Sequence, residues 1–444
     1  MGGIKVMMFG ASRSGKTSIL ASMYSLRTSV TNYGFTLRDK TQEENEQDTL
    51  IESVNGMKNL LGSKAGFTRM GTLRGSQGMF NYTFELGYSN YSKVSPTDLT
   101  FIDVAGESFK SKSSDYGKVC EIAKDCQILI VAVDTPALLL AKKKNDYGWD
   151  NEINCTDSLI DAVQNLGINC KKDDLGINPI KMVIFVPIKC ERWLHDSENS
   201  AEYMKQIVSQ IELVYSESIA VCKSKESRTK VMIMPVETIG GLEFDHHTSP
   251  DKMKILKYDI NTKFQYNDVR VEDSAVFDTD NNDECYFTRC EMDEDDKDVV
   301  ILAKTGMDYR LKGGDTLIDV VSLPYYPFCY RKDRPIPYAW FKSVGEYAPK
   351  NCELLFFEIV QFMVQQIADD FGVNINELLN SKVGGGLFGK IIEFLLGKSF
   401  FDDTRQLQAM CQAVLKMKKE NKLGTNVNVI HNNLDNEMSD LFIM

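Results

Sequence analysis

The 444-residue chain has no apolar run near the roughly 18 residues that span a bilayer, so no membrane-crossing helix is expected. It also lacks a basic surplus: 51 Lys and Arg stand against 63 Asp and Glu, for a formal net charge of −12. A general nucleic-acid surface needs the opposite balance, because its Lys and Arg displace the counterions of the phosphate backbone. Histidine is scarce, with four residues, and the 11 cysteines form no CxxC pair. Cys285 and Cys290 lie closest, without further ligands at metal spacing. A zinc site and a disulfide framework are therefore not expected, and the reduced thiols of a cytoplasmic protein fit better. No signal peptide is expected, because the first apolar run, Ile4 to Phe9, reads as a core strand. Met1-Gly2 opens like an acylation site, but Val6 stands where Ser or Thr is required. What remains is an ordinary globular composition, long enough for two or three domains with a substantial core.

The most informative stretch follows that first strand. Gly10-Ala11-Ser12-Arg13-Ser14-Gly15-Lys16-Thr17 reads GxxxxGK[ST]. Behind it, Ile19, Leu20 and Met23 recur at helical spacing. A strand, a glycine-bounded loop and a helix in that order make a phosphate cradle. Loop amides from Gly10 to Ser18 converge on a β-phosphate, and the helix N-terminus adds partial positive charge. Lys16 is placed to reach β- and γ-phosphates, and the Thr17 hydroxyl to ligate Mg²⁺. Nucleotide binding is the expectation.

Further along, Gln42 to Leu61 carries Leu50, Ile51, Val54, Met57, Leu60 and Leu61 on one helical face. Phe80 to Leu86 alternates as a strand, and Asp98 to Asp103 reads as a second strand able to pair with it antiparallel. The second ends in Asp103-Val104-Ala105-Gly106-Glu107, a DxxG motif roughly 90 residues after the P-loop. A carboxylate there can hold Mg²⁺, usually through water, and Gly106 lets a backbone N–H approach the γ-phosphate. Three buried-strand candidates follow at Gln127 to Val133, Met182 to Pro187 and Lys230 to Pro235, with helical patterns between them. This alternation predicts an α/β fold with a doubly wound, mostly parallel sheet, ligands lying at its carboxyl edge.

Beyond the second of these strands stands Ile188-Lys189-Cys190-Glu191, and beyond the third Val236-Glu237-Thr238-Ile239-Gly240. With these motifs in this order, the first 240 or so residues resemble a P-loop GTPase of the translation-factor-related (TRAFAC) class, most of all its bacterial double-GTPase branch. The resemblance implies a small-GTPase-like fold, GTP and GDP as ligands with Mg²⁺, and slow hydrolysis that partners accelerate. The corresponding base loop of the class is [NT]KxD, whose Lys lies along the guanine ring and whose Asp accepts from N1 and N2. Lys189 matches; Glu191 replaces Asp with one more methylene, and Ile188 replaces the supporting Asn or Thr. A carboxylate facing adenine meets the N1 acceptor and no 2-amino group, so guanine is preferred over adenine. Glu237 and Thr238 occupy the place of the loop that closes over the base, without matching its defining residues.

The resemblance also frames the catalytic candidates. Arg13 is similar in position to the P-loop arginine of guanylate-binding proteins and atlastins, an internal arginine finger often used when two nucleotide domains meet. An exposed loop arginine is the simpler reading, and the preferred one. Glu107 stands where a Gln often positions the attacking water, but its charge repels the γ-phosphate unless neutralised, so a surface carboxylate turned away is preferred. Thr72 is the candidate switch threonine on Mg²⁺, with Thr68 as rival; a turn residue is the alternative for both.

From these patterns four regions are expected: a nucleotide domain over 1–244, a polar β-rich insertion over 245–340, a returning last helix over 341–372, and a C-terminal helical extension over 373–444. In the insertion, strand-like runs occur at 298–303 and 316–323, and 324–337 reads as a proline-rich connector. Asp278 to Asn282 suggests a calcium loop, but Asp283 and Arg289 stand where Gly and Glu are required, so an acidic hairpin or loop is expected. Val383 to Leu396 is a glycine-hinged apolar segment: a buried helix is preferred over a partner-binding or membrane-surface one. Asp402 to Lys422 reads as an amphipathic helix, and the Asn-rich tail from Leu423 as mobile until its last apolar residues. The expected function is a Mg²⁺-dependent GTPase switch with a protein partner or nucleotide-dependent homodimerisation. An ATPase on the same fold, or a nucleotide-binding scaffold with little hydrolysis, are its rivals.

Overall fold

A computed structural model of the chain describes residues 3–10, 14–41, 44–61, 67–69, 79–88, 96–109, 113, 115–144, 154, 156–165, 180–196, 198–223, 228–247, 253–259, 262–269, 289–290, 300–301, 308–310, 317–319, 339–370, 398–420 and 428–432. The chain divides into two compact units, one of Met1–Val54, Gly75–Thr238 and Pro349–Met444, the other of Asn55–Arg74 and Ile239–Ala348.

The first unit is built on an eight-stranded sheet of β1 (Ile4–Phe9), β2 (Phe35–Asp39), β4 (Met79–Tyr88), β5 (Thr97–Val104), β6 (Ile128–Asp134), β7 (Ile180–Ile188), β8 (Arg228–Ile233) and β17 (Asn428–Asn432); β3 (Phe67–Arg69) belongs to the second unit. The strand order is β17-β8-β7-β6-β1-β5-β4-β2. Strands β5, β1, β6, β7 and β8 run parallel, and β4 pairs antiparallel with β5. Every residue of β6 is buried, as an unbroken apolar run flanked on both faces demands. In β4 only alternate residues are buried, the pattern of an antiparallel strand near the sheet's edge.

Period-two alternation sends successive side chains to opposite faces, and both faces are covered. On one face Phe9, Val104, Val131 and Phe185 pack with Val119 and Ala123 of α3 (Tyr116–Asp125) and with residues of the helices Thr156–Asn165, Ser200–Val214 and Ser216–Cys222. On the other, Phe101 meets Phe356 of the helix Cys352–Asp370 edge-on at 6.1 Å, and Tyr24 of α1 (Lys16–Ser25) lies 6.1 Å from Phe84. The fold is α/β, a doubly wound and mostly parallel sheet. Sheet order reverses at β1, which places the P-loop at the switch point where such sheets bind ligands.

The second unit contains a three-stranded antiparallel sheet, β3-β16-β9, with β9 at Leu242–His247 and β16 at Ala339–Ser343. Antiparallel pairs join β10 (Met253–Asp259) to β11 (Thr262–Val269), β12 (Arg289–Cys290) to β13 (Val300–Ile301), and β14 (Asp308–Arg310) to β15 (Leu317–Asp319).

Two expectations are corrected. The tail from Leu423 was expected to be mobile, yet Asn428–Asn432 forms β17, antiparallel to β8, because the outer edge of β8 offers unpaired backbone groups. In α2 (Glu44–Leu61), Leu50 and Met57 are buried but Ile51 is exposed, so the apolar face is narrower than its sequence pattern. The segments 278–283, 324–337 and 383–396 lie outside the described residues. Among the described residues no helix is long and apolar enough to cross a membrane.

Candidate functional site

The site forms where β1 ends. Gly15 takes φ +94° and serves as the N-cap of α1, whose first turn carries no acidic residue. No carboxylate of the helix's own first turn offsets the positive end of its dipole, which suits an anion site. The backbone angle calls for glycine, and a Cβ there would stand 2.4 Å from Cδ1 of Ile188, whose side chain would have to shift. Lys16, buried, donates through Nζ to the Gly10 carbonyl at 2.8 Å and lies 5.7 Å from the Phe109 ring centroid. Ser14 is buried and Ser18 half-buried beside it.

Asp103 comes to this loop because β5 pairs with β1 in parallel, Met8 opposite Asp103. The carboxylate is fully buried, and its Oδ2 accepts from Thr17 Oγ1 at 2.7 Å. A hydroxyl and a carboxylate are hard oxygen donors, the set Mg²⁺ takes when phosphate and water complete its shell. Gly106 opens a short 3-10 helix, Gly106–Phe109, directly after this strand; Glu107 lies within its backbone.

At the tip of β7, Lys189 turns the chain with φ +58° and its ammonium pairs with Asp134 at the tip of β6, both side chains buried. Asp134 also caps α4 (Thr135–Lys144), accepting from Ala137 N at 3.0 Å, while its own N–H donates to Asn154 Oδ1 at 2.7 Å. Glu191 opens the short helix Glu191–Leu194 and is only 2 % exposed. Between these two residues the Cys190 thiol is buried, and burial pushes it, like Cys352, well above the usual thiol range. Neither is a nucleophile at neutral pH.

Glu237 and Thr238 follow β8. The buried Glu237 carboxylate is held by His195 Nε2 at 3.0 Å and Lys350 Nζ at 3.1 Å. The Thr238 carbonyl accepts from Ser22 Oγ of α1 at 2.7 Å, fastening this loop to the P-loop helix. The carboxyl ends of β1, β5, β6, β7 and β8 thus bring Lys16, Thr17, Asp103, Lys189, Glu191, Glu237 and Thr238 to one edge of the sheet. Thr68 lies in β3 of the second unit, opposite Phe341. Ala11, Ser12, Arg13 and Thr72 lie outside the described residues. Sequence reasoning passed over Asp134, Asn154, His195 and Ser22. Only Asp134 carried a local signal, an Asp ending an apolar strand before Thr135-Pro136, the pattern of a helix N-cap.

No protein-family model matches the chain, and no curated protein matches it. Among solved structures it is similar to a bacterial selenocysteine-specific elongation factor, EF-Sec, at 13% identity and a TM-score of 0.24, over 78% of this chain and 42% of that one. It therefore spans less than half of the EF-Sec chain. It is also similar to the S. cerevisiae Ski7 GTPase-like domain bound to GDP and inorganic phosphate, at 9% identity and a TM-score of 0.28, over 77% and 75% of the two chains. The same domain bound to GTP gives 9% identity and a TM-score of 0.29, with coverage of 77% and 75%. At these TM-scores the likeness is loose, and what the site can do follows from its own geometry.

Proposed function

We propose that the chain binds guanine nucleotides with Mg²⁺ and hydrolyses GTP to GDP slowly, as a cytoplasmic switch. The observation that carries this reading is the 2.7 Å bond from Thr17 to Asp103, which joins the phosphate loop to the tip of β5 through two oxygens suited to Mg²⁺. Mg²⁺ held there would neutralise charge on the β- and γ-phosphates. The loop amides and Lys16 bind the phosphates, and Gly106 presents a backbone N–H to the γ-phosphate. Lys189 and Glu191 read the base, with Glu237 and Thr238 closing beside it. Arg13 is the candidate for stabilising charge that develops during transfer, and Glu107 for orienting water. With Glu in place of a neutral water-orienting Gln, the unassisted rate is low, and a protein partner or a second copy would raise it. Thr72 is the candidate third protein oxygen on the metal.

Titration calorimetry with GDP and ADP in Mg²⁺, on the wild type and Glu191→Ala, tests the base assignment. GDP binding lost selectively in the variant supports it. Preference for ADP would move the reading to an ATPase on the same fold. GTP bound tightly but not turned over would favour a nucleotide-binding scaffold.

A further inference from the structure

We infer that Asp134 is the positioning residue of the base-reading loop, holding Lys189 so that its hydrocarbon stem rather than its charge is offered to the base. The inference rests on the reading of Lys189 and Glu191 as that loop. Asp134 stands opposite Ile188 across β6 and β7, one residue before Lys189, and its two oxygens have separate duties. Oδ2 takes the Lys189 ammonium, while Oδ1 takes the Ala137 N–H at 3.0 Å. The Asn154 side chain holds the Asp134 backbone, with Oδ1 at 2.7 Å from its N–H. The carboxylate is thus fixed from the strand, from α4 and from the segment holding Asn154 before any ligand arrives. A lysine placed in this way spends its charge on a buried partner, and its left-handed backbone turn at φ +58° is kept in place by the same pair. Its four-carbon stem is thereby held in one arrangement, which reduces the rotamer entropy lost when a purine ring packs against it.

The test is a double-mutant cycle of Asp134→Asn and Lys189→Met, read by calorimetry with Mg²⁺ complexes of GDP, ADP and inorganic pyrophosphate. Asn retains an acceptor for Ala137 N but removes the charge that Lys189 needs. Asp134→Asn is expected to weaken the nucleoside diphosphate roughly tenfold, as coupled neighbours do, while leaving pyrophosphate affinity unchanged. The double variant, which removes both charges of the buried pair and so leaves neither partner unpaired, is expected to bind no more weakly than Asp134→Asn alone. Equal losses for nucleotide and pyrophosphate would show a general loosening of the site and overturn the inference. Penalties that add across the cycle, or no loss in Asp134→Asn, would overturn it too. The cycle is read with whichever purine diphosphate the wild type binds more tightly. Preference for ADP therefore overturns the guanine assignment alone and leaves the judgement on Asp134 intact.

Discussion

At Gly15 two demands coincide: φ +94°, and a missing Cβ that would stand 2.4 Å from Cδ1 of Ile188. Gly15→Ala is expected to cost about 1–3 kcal/mol in denaturant unfolding, the range of a strained backbone, and to abolish detectable GDP binding. Measured in an Ile188→Val background, which removes Cδ1 alone, the cost of Gly15→Ala should be smaller but not zero, because the contact is relieved and the strained φ remains. A cost that vanished there would show that sterics alone set the requirement. At Asp103, replacement by Asn keeps an acceptor for Thr17 and removes the charge facing the proposed metal position. It is expected to raise the Mg²⁺ concentration for half-maximal binding of a fluorescent GDP analogue by about tenfold or more. An unchanged Mg²⁺ dependence would remove Asp103 from the metal site. Both positions were legible in the sequence, because glycines at fixed spacing and an acid at the tip of an apolar strand are local signals. Lys189 was legible by resemblance. Its partner Asp134 was not, because the pair joins two strands 55 residues apart and only parallel register makes them neighbours. The same holds for Ser22 and Thr238, brought together across 216 residues.

At the scale of elements, local pattern decided the central strands, and tertiary pairing decided the last one. The segment Asn428–Asn432 sets two strand formers, Val429 and Ile430, among polar residues that disfavour strand, and its pairing with the edge of β8 completes it. Truncation after residue 427 should therefore speed hydrogen–deuterium exchange at Lys230–Ile233 while leaving β6, at the sheet's centre, protected. Unchanged exchange at β8 would show that its edge does not depend on β17. Across the same strand runs a buried charge cluster. Lys230 of β8 donates to Glu358 of the helix Cys352–Asp370 at 2.9 Å, and Lys418 of the helix Lys398–Glu420 is buried near both. Burial, then repulsion from Lys230, lowers Lys418 to about 8, with Glu358 opposing. Since the folded value lies below the unfolded one, the unfolded chain holds more proton between the two. Stability from this group therefore rises from about pH 8 towards pH 10.5 and is at its lowest below that window. Lys418→Met should lack this rise and exceed the wild type near pH 7 by on the order of 1 kcal/mol, the gap closing as pH increases. Guanidinium unfolding at pH 7, 9 and 10 measures it, and a gap that widens with pH would reverse the assignment.

At the scale of the whole molecule, the chain passes between the two units four times, and the segments at the last two crossings are paired within each unit. Within the first unit, Glu237 and Lys350 exchange backbone hydrogen bonds of 3.0 and 2.9 Å. Within the second, Ala348 N donates to Ile239 O and Val344 N to Gly241 O, both at 2.9 Å. The break in strand–helix alternation and the rise in acidic residues fall within Ile239–Ala348 of the second unit. The share of Asn55–Arg74 in the second unit was not legible in the sequence, because β3 is three residues long and is defined only by its partner β16. Paired segments of this kind can be closed by a two-residue Asn-Gly turn without altering the strands they end. Replacing 242–343 by such a turn is therefore expected to leave GDP affinity within about threefold of the wild type, because the proposed ligand groups lie in the first unit except Thr72, whose segment is retained. Exchange should rise at Phe67–Arg69, whose pairing partner is gone, and remain unchanged at β1 and β6. A large loss of GDP affinity with β1 and β6 still protected would mean that the second unit helps to hold the nucleotide.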